Sequence, residues 1–104
     1  MARSLVRDLL AVGVLTRQRP EQFAALLAKL AEQEIPAGTE LHFIFVENDN
    51  YISVRQAVSD FNSKVRSEGV TSTLEIEPQA GIPVARNRVL DIANRIGADW
   101  LIFI

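Results

Sequence analysis

The sequence contains no cysteine and a single histidine, His42. Without cysteine the chain cannot form a disulfide, a thiolate zinc site or a thiol nucleophile. One imidazole also excludes a metal site or catalytic centre built from several histidines. His42 stands near the start of a predicted strand and has no companion ligand nearby in the sequence. A surface histidine or a hydrogen-bonded histidine is therefore favoured over a metal ligand.

Long apolar runs and a strong charge of either sign are also missing. The longest apolar run, residues 9–15, is far shorter than the roughly 20 residues that a membrane-spanning helix needs. Charged residues at positions 3, 7 and 8 interrupt any signal-peptide pattern. The net charge of −2 gives no bulk attraction to nucleic acid, so no nucleic-acid partner is expected. We predict a cytoplasmic protein, and leave open a peripheral membrane location for a full-length protein.

The common nucleotide-binding motifs are absent as well. The G-x-G-x-x-G and G-x-x-x-x-G-K-[ST] loops would follow a first strand, but the segment Thr16-Arg17-Gln18-Arg19-Pro20 stands there instead. This segment is basic, which argues against the paired acids that hold Mg²⁺ in a receiver-like domain. No serine lies in a nucleophile-elbow pattern. These absences exclude the best-known classes of dinucleotide-binding protein, NTPase and α/β-hydrolase.

Apolar runs and amphipathic stripes alternate along the chain. Strands are predicted at residues 9–15, 41–46, 70–77 and 100–104. Pro20 and Pro83 begin the first and third helices, where the missing N–H of proline is harmless. In the first helix Phe23, Leu26 and Leu27 belong to one apolar stripe. The βαβαβαβ alternation predicts a three-layer α/β/α sandwich around a mostly parallel sheet.

The last predicted strand, residues 100–104, is an uninterrupted apolar run after the turn residues Gly97-Ala98-Asp99. Such a run is typical of a strand buried on both faces, so Trp100 is predicted to lie in the core. A strand of this kind needs further neighbours. We therefore expect residues 1–104 to form part of a larger domain whose C-terminal half is absent.

Hydrogen-bonding and ionic side chains collect in the segments that follow the strands. Four of the eleven lysine and arginine residues, Arg17, Arg19, Arg86 and Arg88, lie in or just after two of these loops. The carboxyl ends of parallel strands are where such sheets bind ligands, and guanidinium groups beside a helix N-terminus can hold a phosphate. The alternative is that these loops are polar only because they face water.

Three segments, taken together, resemble motifs of the family-two glycosyltransferases. Residues 15–21, Leu-Thr-Arg-Gln-Arg-Pro-Glu, resemble the family's P-T-Y-N-R-P-E or T-x-R-R-P motif. Residues 46–49, Val-Glu-Asn-Asp, resemble its V-D-N or V-D-D turn. Residues 81–87 and 97–104 resemble G-I-x-x-A-R-N and G-A-D-Y-I-x-F-L, after which the family has its metal-binding D-x-D pair. The resemblance covers nearly the whole chain.

This resemblance implies a fold like that of the nucleotide-diphospho-sugar transferases, with strand order 3-2-1-4. It also implies that residues 1–104 are the nucleotide-binding half of an inverting glycosyltransferase. The full-length enzyme would transfer a sugar from a nucleotide diphosphate donor, UDP-linked or GDP-linked, to an acceptor that the sequence does not name. No catalytic residue is expected in this chain, which we predict to be inactive alone. If the predicted order holds, residues 100–104 form an apolar sheet edge through which the chain could self-associate.

The resemblance also implies roles for individual residues. Thr16 and Arg17 occupy positions that frame the nucleobase, and Glu47 stands where a carboxylate accepts a base N–H. Arg86 is expected near the ribose or the diphosphate, with Asn87 beside it. The candidate nucleotide-binding residues are Thr16, Arg17, Arg19, Glu47, Asn48, Asp49, Arg86 and Asn87.

Structural alternatives exist for three of these candidates. Glu47 could be an acid that caps the next helix, Arg19 could pair with Glu21 or Glu47, and Arg86 could be a solvent-exposed arginine at a helix start.

The same resemblance implies a divalent cation, Mg²⁺ or Mn²⁺, in the full-length enzyme. Its carboxylate ligands would follow Ile104, so no metal site is expected within residues 1–104 and no cofactor is expected to bind this part alone. A different class of function is also open. The chain could be a non-catalytic α/β module that binds a small anionic ligand or a protein partner.

Overall fold

The computed structural model describes residues 8–33, 38–65 and 69–104. Its elements are β1 (Asp8–Thr16), α1 (Pro20–Ala31), β2 (Thr39–Glu47), α2 (Arg55–Lys64), β3 (Val70–Ile76), α3 (Ile82–Arg95) and β4 (Trp100–Phe103). The predicted alternation of strands and helices is confirmed. The sequence also predicts short turns at residues 35–40 and 67–69, before the second and third strands, and positions 35–37 and 67–68 of these turns lie outside the described residues. Within the described ranges, no helix combines the length and the apolarity that crossing a bilayer requires.

The four strands form one parallel sheet in the order β3-β2-β1-β4, which confirms the predicted order. β1 pairs with β2 in a register that places Thr16 opposite Glu47. On its other side β1 pairs with β4, and Gly13 lies opposite Phe103. The chain therefore leaves β1 toward β2 and later returns to the opposite side of β1. This reversal makes the β1–β4 boundary the topological switch point of the sheet.

One face of the sheet packs against α1 and α2 through an aromatic core. Phe43 and Phe45 from β2 meet Phe23 of α1 and Phe61 of α2, and all four side chains are buried. Three of their ring pairs meet edge to face, with centroids 5.2–5.6 Å apart. Aromatic pairs of this geometry stabilise a core by about 0.5–1.5 kcal/mol beyond the burial of their area.

The opposite face of the sheet is covered by α3. Val89, Ile92 and Ala93 of this helix pack against Ile44 and Val46 of β2. Alternate side chains of β2 thus pack into two separate cores, as expected for a strand between two helical layers.

Trp100 does not lie in the core, so the prediction of a strand buried on both faces is wrong for β4. The indole is 64% exposed and Ile102 is 46% exposed. Trp100 and Ile102 lie opposite Leu10 and Val12 of β1, whose side chains belong to the core under α1 and α2. Because β4 is the edge strand of the described sheet, the helices that cover β1 and β2 on this face leave Trp100 in contact with solvent.

His42 is a hydrogen-bonded histidine on β2, one of the two outcomes that the sequence favoured. Its Nδ1 lies 2.6 Å from Thr71 Oγ1, and its Nε2 lies 2.6 Å from Thr73 Oγ1, both on β3. A neutral imidazole offers one donor and one acceptor, and each hydroxyl can serve as either partner. Burial lowers the pKa of His42 below its usual value of 6.5, because desolvation penalises the charged ring.

Candidate functional site

A groove of about 630 Å³ opens at the carboxyl edge of the sheet, beside the ends of β1 and β4. Its walls come from the first turns of α1 and α3 and from the loop after β2. The lining residues are Leu15, Thr16, Arg17, Arg19, Gln22, Phe23, Leu26, Asn48, Gly81, Ile82, Ala85, Arg86, Phe103 and Ile104. The position matches the switch point of the sheet, and the volume is typical of a small-molecule site.

The fold brings five of the eight candidate residues together in this groove. They are Thr16, Arg17, Arg19, Asn48 and Arg86. These residues come from three separate loops or helix starts, and only the strand order places them side by side. The other three candidates, Glu47, Asp49 and Asn87, are not part of the lining.

The groove carries positive charge. Arg17, Arg19 and Arg86 line it, and the lining drawn from the described residues includes no aspartate or glutamate side chain. None of the three guanidinium groups forms an ion pair with a described residue, so Arg19 pairs with neither Glu21 nor Glu47 there. An anion entering this groove would therefore meet cationic groups that are not already neutralised.

Local backbone geometry adds to this field. Gln18 has a φ of 53°, a left-handed conformation that turns the chain between β1 and α1. It stands between Arg17 and Arg19, which both line the groove. Helix α1 follows Arg19 and helix α3 follows Gly81, and neither helix has a side-chain cap at its N-terminus. The positive ends of both helix dipoles therefore lie at the groove, with Glu21 in the first turn of α1 and the Asn48 side-chain oxygen at Gly81 of α3 already beside them.

Asn48 lines the groove, but its amide group is committed to the protein. Its Nδ2 donates to the carbonyl oxygens of Glu77 and Gln79, both at 2.8 Å. Its Oδ1 accepts the backbone N–H of Gly81 at 3.0 Å. Both amide protons are therefore used. Asn48 acts as a cross-link that holds the N-terminus of α3 against the end of β2.

Glu47 is almost completely buried, with 1% of its surface exposed. Its Oε1 accepts the backbone N–H of Ser53 at 2.7 Å, and its Oε2 accepts the Ser53 hydroxyl. Ser53 lies two residues before the start of α2. The carboxylate thus holds the segment that enters α2 but does not cap the helix, whose N-cap residue is Val54 and which has no side-chain cap among the described residues. It does not face the groove.

Asp49 and Asn87 also lie apart from the groove. Asp49 Oδ1 accepts the backbone N–H of Asn50 at 2.8 Å. Its Oδ2 is buried and has no hydrogen-bond partner among the described residues. Asn87 is exposed on α3. These placements give neither side chain a contact with a ligand seated in the groove.

Arg88 is occupied by an ion-pair cluster on the far side of α3. Its guanidinium lies 3.1 Å from Glu77 Oε1 and 3.7 Å from Glu75 Oε1. Arg95, two turns further along α3, lies 3.1 Å from Glu75 Oε2. These pairs attach α3 to the β3 edge, although partly exposed pairs of this kind contribute little to stability.

Phe103 is a groove residue that the sequence did not single out. Its ring lies 5.2 Å, centroid to Cζ, from the guanidinium of Arg86. A Cβ added at Gly13 would lie 3.0 Å from two carbons of this ring, so the ring packs directly on the backbone of β1. A glycine inside an apolar strand marks such a close approach. Gly13 was therefore the feature of the sequence that indicated a side chain packed closely against the backbone of β1.

The described residues do not provide a metal site. Among residues 8–33, 38–65 and 69–104, no three His, Cys, Asp or Glu side chains are grouped as a metal centre would require. Arginine and apolar side chains dominate the groove lining, whereas Mg²⁺ and Mn²⁺ take oxygen ligands. The groove itself is therefore suited to an anion and unsuited to a free divalent cation.

Three kinds of comparison with known proteins give no match: no family model, no curated protein and no solved structure matches this chain. The fold nevertheless defines a class. It is a Rossmann-like α/β arrangement, with a parallel sheet between helical layers and a groove at its switch point. Any more specific assignment depends on the motifs and on the chemistry of the groove.

Proposed function

We propose that the groove binds the nucleoside diphosphate part of a nucleotide sugar, UDP-linked or GDP-linked. In this proposal the chain is the nucleotide-binding half of a glycosyltransferase that resembles family two. The observation that carries the proposal is the convergence of Arg17, Arg19 and Arg86 on one groove at the switch point of the sheet.

The mixed character of the groove supports a ligand with both anionic and flat apolar parts. Leu15, Phe23, Leu26 and Ile82 give it an apolar wall beside the three arginines. A diphosphate matches guanidinium groups and uncapped helix N-termini, because both present N–H donors and positive charge. A nucleobase matches an apolar wall, since it can lose water there and stack. Inorganic phosphate alone would use only the first of these two features.

The proposed role is binding and orientation of the donor. Sugar transfer further requires a base that deprotonates the acceptor hydroxyl. The groove lining of the described residues holds no aspartate, glutamate or histidine side chain that could serve as this base. The arginines would stabilise negative charge on the leaving diphosphate. We therefore expect nucleotide binding by this chain without sugar transfer.

Isothermal titration of the chain with UDP, GDP and inorganic pyrophosphate tests this function. Removing Arg86 should weaken UDP binding about 10- to 100-fold, since hydrogen bonds to charged groups contribute about 1.5–3 kcal/mol. Arg55→Ala is the matched control, because Arg55 is an exposed arginine outside the groove. Equal affinities of the Arg86→Ala variant, the Arg55→Ala variant and the unmodified chain for UDP would contradict the proposal. So would the absence of saturable binding.

A second function is favoured by one observation. The Glu47 carboxylate, which the resemblance assigns to the nucleobase, is buried against Ser53 and lies outside the groove. A groove that lacks a base-reading carboxylate fits a non-catalytic module for a small anion equally well. Pyrophosphate binding as tight as UDP binding would favour that module, because the nucleoside would then contribute nothing.

A further inference from the structure

We infer that Phe103 is a positioning residue for Arg86, and that Gly13 is required to seat its ring. The inference rests on the nucleotide-binding function proposed above in one respect, the identity of the anion that Arg86 would bind. The contact itself, between the ring of Phe103 and the guanidinium of Arg86, belongs to the chain alone. It links the last strand of the sheet to the first turns of α3 across the groove.

The ring of Phe103 is seated on the sheet by Gly13. The two residues are partners in the β1–β4 register, and the Ile104 N–H donates to the Gly13 carbonyl at 3.1 Å. A Cβ at position 13 would lie 3.0 Å from the Cδ1 and Cε1 atoms of Phe103 and 2.8 Å from Val89 Cγ1. Real Cβ atoms essentially never approach as closely as the 2.8 Å to Val89, and the 3.0 Å to the ring is tighter than nine in ten real Cβ contacts. The absence of a side chain at Gly13 therefore allows the ring its present position.

The seated ring in turn places the Arg86 guanidinium. An arginine on a helix surface has several rotatable bonds, and fixing it when a ligand binds costs conformational entropy. A guanidinium that lies over an aromatic ring is attracted by the negative face of the ring. It keeps its N–H donors in its own plane, so stacking does not compete with hydrogen bonds to a phosphate. The ring thus holds Arg86 at the groove before the ligand arrives.

The simpler alternative is that Phe103 serves only as apolar wall. A leucine would then replace it with little effect on Arg86. The two explanations differ in one respect: a positioning ring acts through Arg86, so its removal should matter only while Arg86 is present. A wall residue contacts the ligand directly, so its removal should matter with or without Arg86.

Two measurements separate these explanations. The first needs no ligand: the ¹⁵N relaxation order parameter of the Arg86 Nε–H reports how firmly the guanidinium is held. It should be higher than that of the exposed Arg55 in the unmodified chain, fall to the Arg55 value in Phe103→Leu, and stay high in Phe103→Tyr. An Arg86 order parameter as low as that of Arg55 in the unmodified chain would overturn the inference even if neither variant folds.

The second measurement is a double-mutant cycle with UDP. Phe103→Leu should weaken binding roughly two- to fivefold in the unmodified chain, the range expected for a cation–π contact, and should have no effect in the Arg86→Ala background. Phe103→Tyr should bind as the unmodified chain does. An equal loss in both backgrounds would overturn the positioning role. If the unmodified chain does not bind UDP, the proposed function fails, and the NMR result still decides whether Phe103 places Arg86.

Discussion

The side-chain oxygen of Asn48 lies 3.0 Å from the backbone nitrogen of Gly81, and this hydrogen bond joins the end of β2 to the start of α3. Gly81 has a φ of 129°, a conformation that side chains other than hydrogen rarely allow. The bond therefore fixes an otherwise adaptable residue at the point where α3 turns toward the groove. Since Arg86 lies in the second turn of α3, the position of the guanidinium depends on this link.

Asn48→Ala should destabilise the chain by roughly 1–3 kcal/mol, because it leaves the Gly81 N–H and two carbonyl oxygens without their buried partner. It should also weaken UDP binding, since the start of α3 loses its anchor. Asn94→Ala is the matched control: Asn94 is exposed on the same helix, and its removal should leave stability nearly unchanged. Chemical denaturation of both variants measures the difference. Equal stability of the two variants would contradict the cross-linking role.

Glu47→Gln should change neither the stability nor the nucleotide affinity appreciably. The amide can accept the Ser53 N–H through its oxygen and donate to the Ser53 hydroxyl through its nitrogen, so both bonds can persist. Glu47→Ala should cost roughly 1–3 kcal/mol, because the Ser53 N–H loses its acceptor. Thermal unfolding and UDP and GDP titrations of both variants measure these effects. A selective loss of UDP binding in Glu47→Gln would instead support a base-reading carboxylate.

Stability should fall as the pH drops below about 6.5, and His42 is the cause. Burial lowers its pKa in the folded chain, so the unfolded chain takes up a proton first as the pH falls. Stability is therefore fully present above the unfolded pKa and declines as the pH falls toward the folded pKa. Because His42 is the single histidine, His42→Gln should remove this component. Between pH 8 and pH 5 the melting temperature of the unmodified chain should fall more steeply than that of His42→Gln, and parallel curves would contradict the assignment.

We expect β4 to pair with β4 of a second copy. Residues 100–104 carry no charge, and Trp100 and Ile102 are exposed on one face of this edge. Antiparallel pairing about a two-fold axis would satisfy both backbone edges with identical partners. Trp100→Lys should weaken dimer formation in sedimentation equilibrium. Leu90→Lys is the control, since Leu90 is an exposed apolar residue on α3. A monomeric unmodified chain at high concentration would contradict this expectation.

The sequence predicted the architecture well because the architecture follows from local periodicity and from general rules of chain connection. Two sequence patterns indicate which face of an element is buried. They are the apolar stripe of α1 around Phe23 and Leu27, and the alternation of Phe43, Ile44 and Phe45 along β2. Burial at the ends of the sheet does not follow from the same rules. The run of β4 that contains Trp100 is as apolar as the run of β1. The two strands differ in burial because, within the described sheet, no helix covers the face of β4 on which Trp100 lies.

The site was partly predictable for a related reason. Arg17, Arg19 and Arg86 meet in the candidate groove, as the sequence predicted, because the carboxyl ends of parallel strands meet at one edge of the sheet. The roles of polar side chains depend on partners that are distant in sequence. Asn48 bonds to Gly81 across 33 positions, which no local pattern reveals. The Phe103–Arg86 contact could be approached only through Gly13, whose presence in a buried strand signals a close neighbour.

The central claim is that the groove beside β1 and β4 binds a nucleoside diphosphate. An NMR titration of the isotopically labelled chain with UDP tests it most directly, because each backbone amide reports its own surroundings. We predict saturable shifts concentrated at Thr16 to Arg19, at Gly81 to Arg86 and at Phe103, with residues of α2 unchanged. Shifts that do not saturate, or saturable shifts concentrated away from these three segments, would contradict the claim.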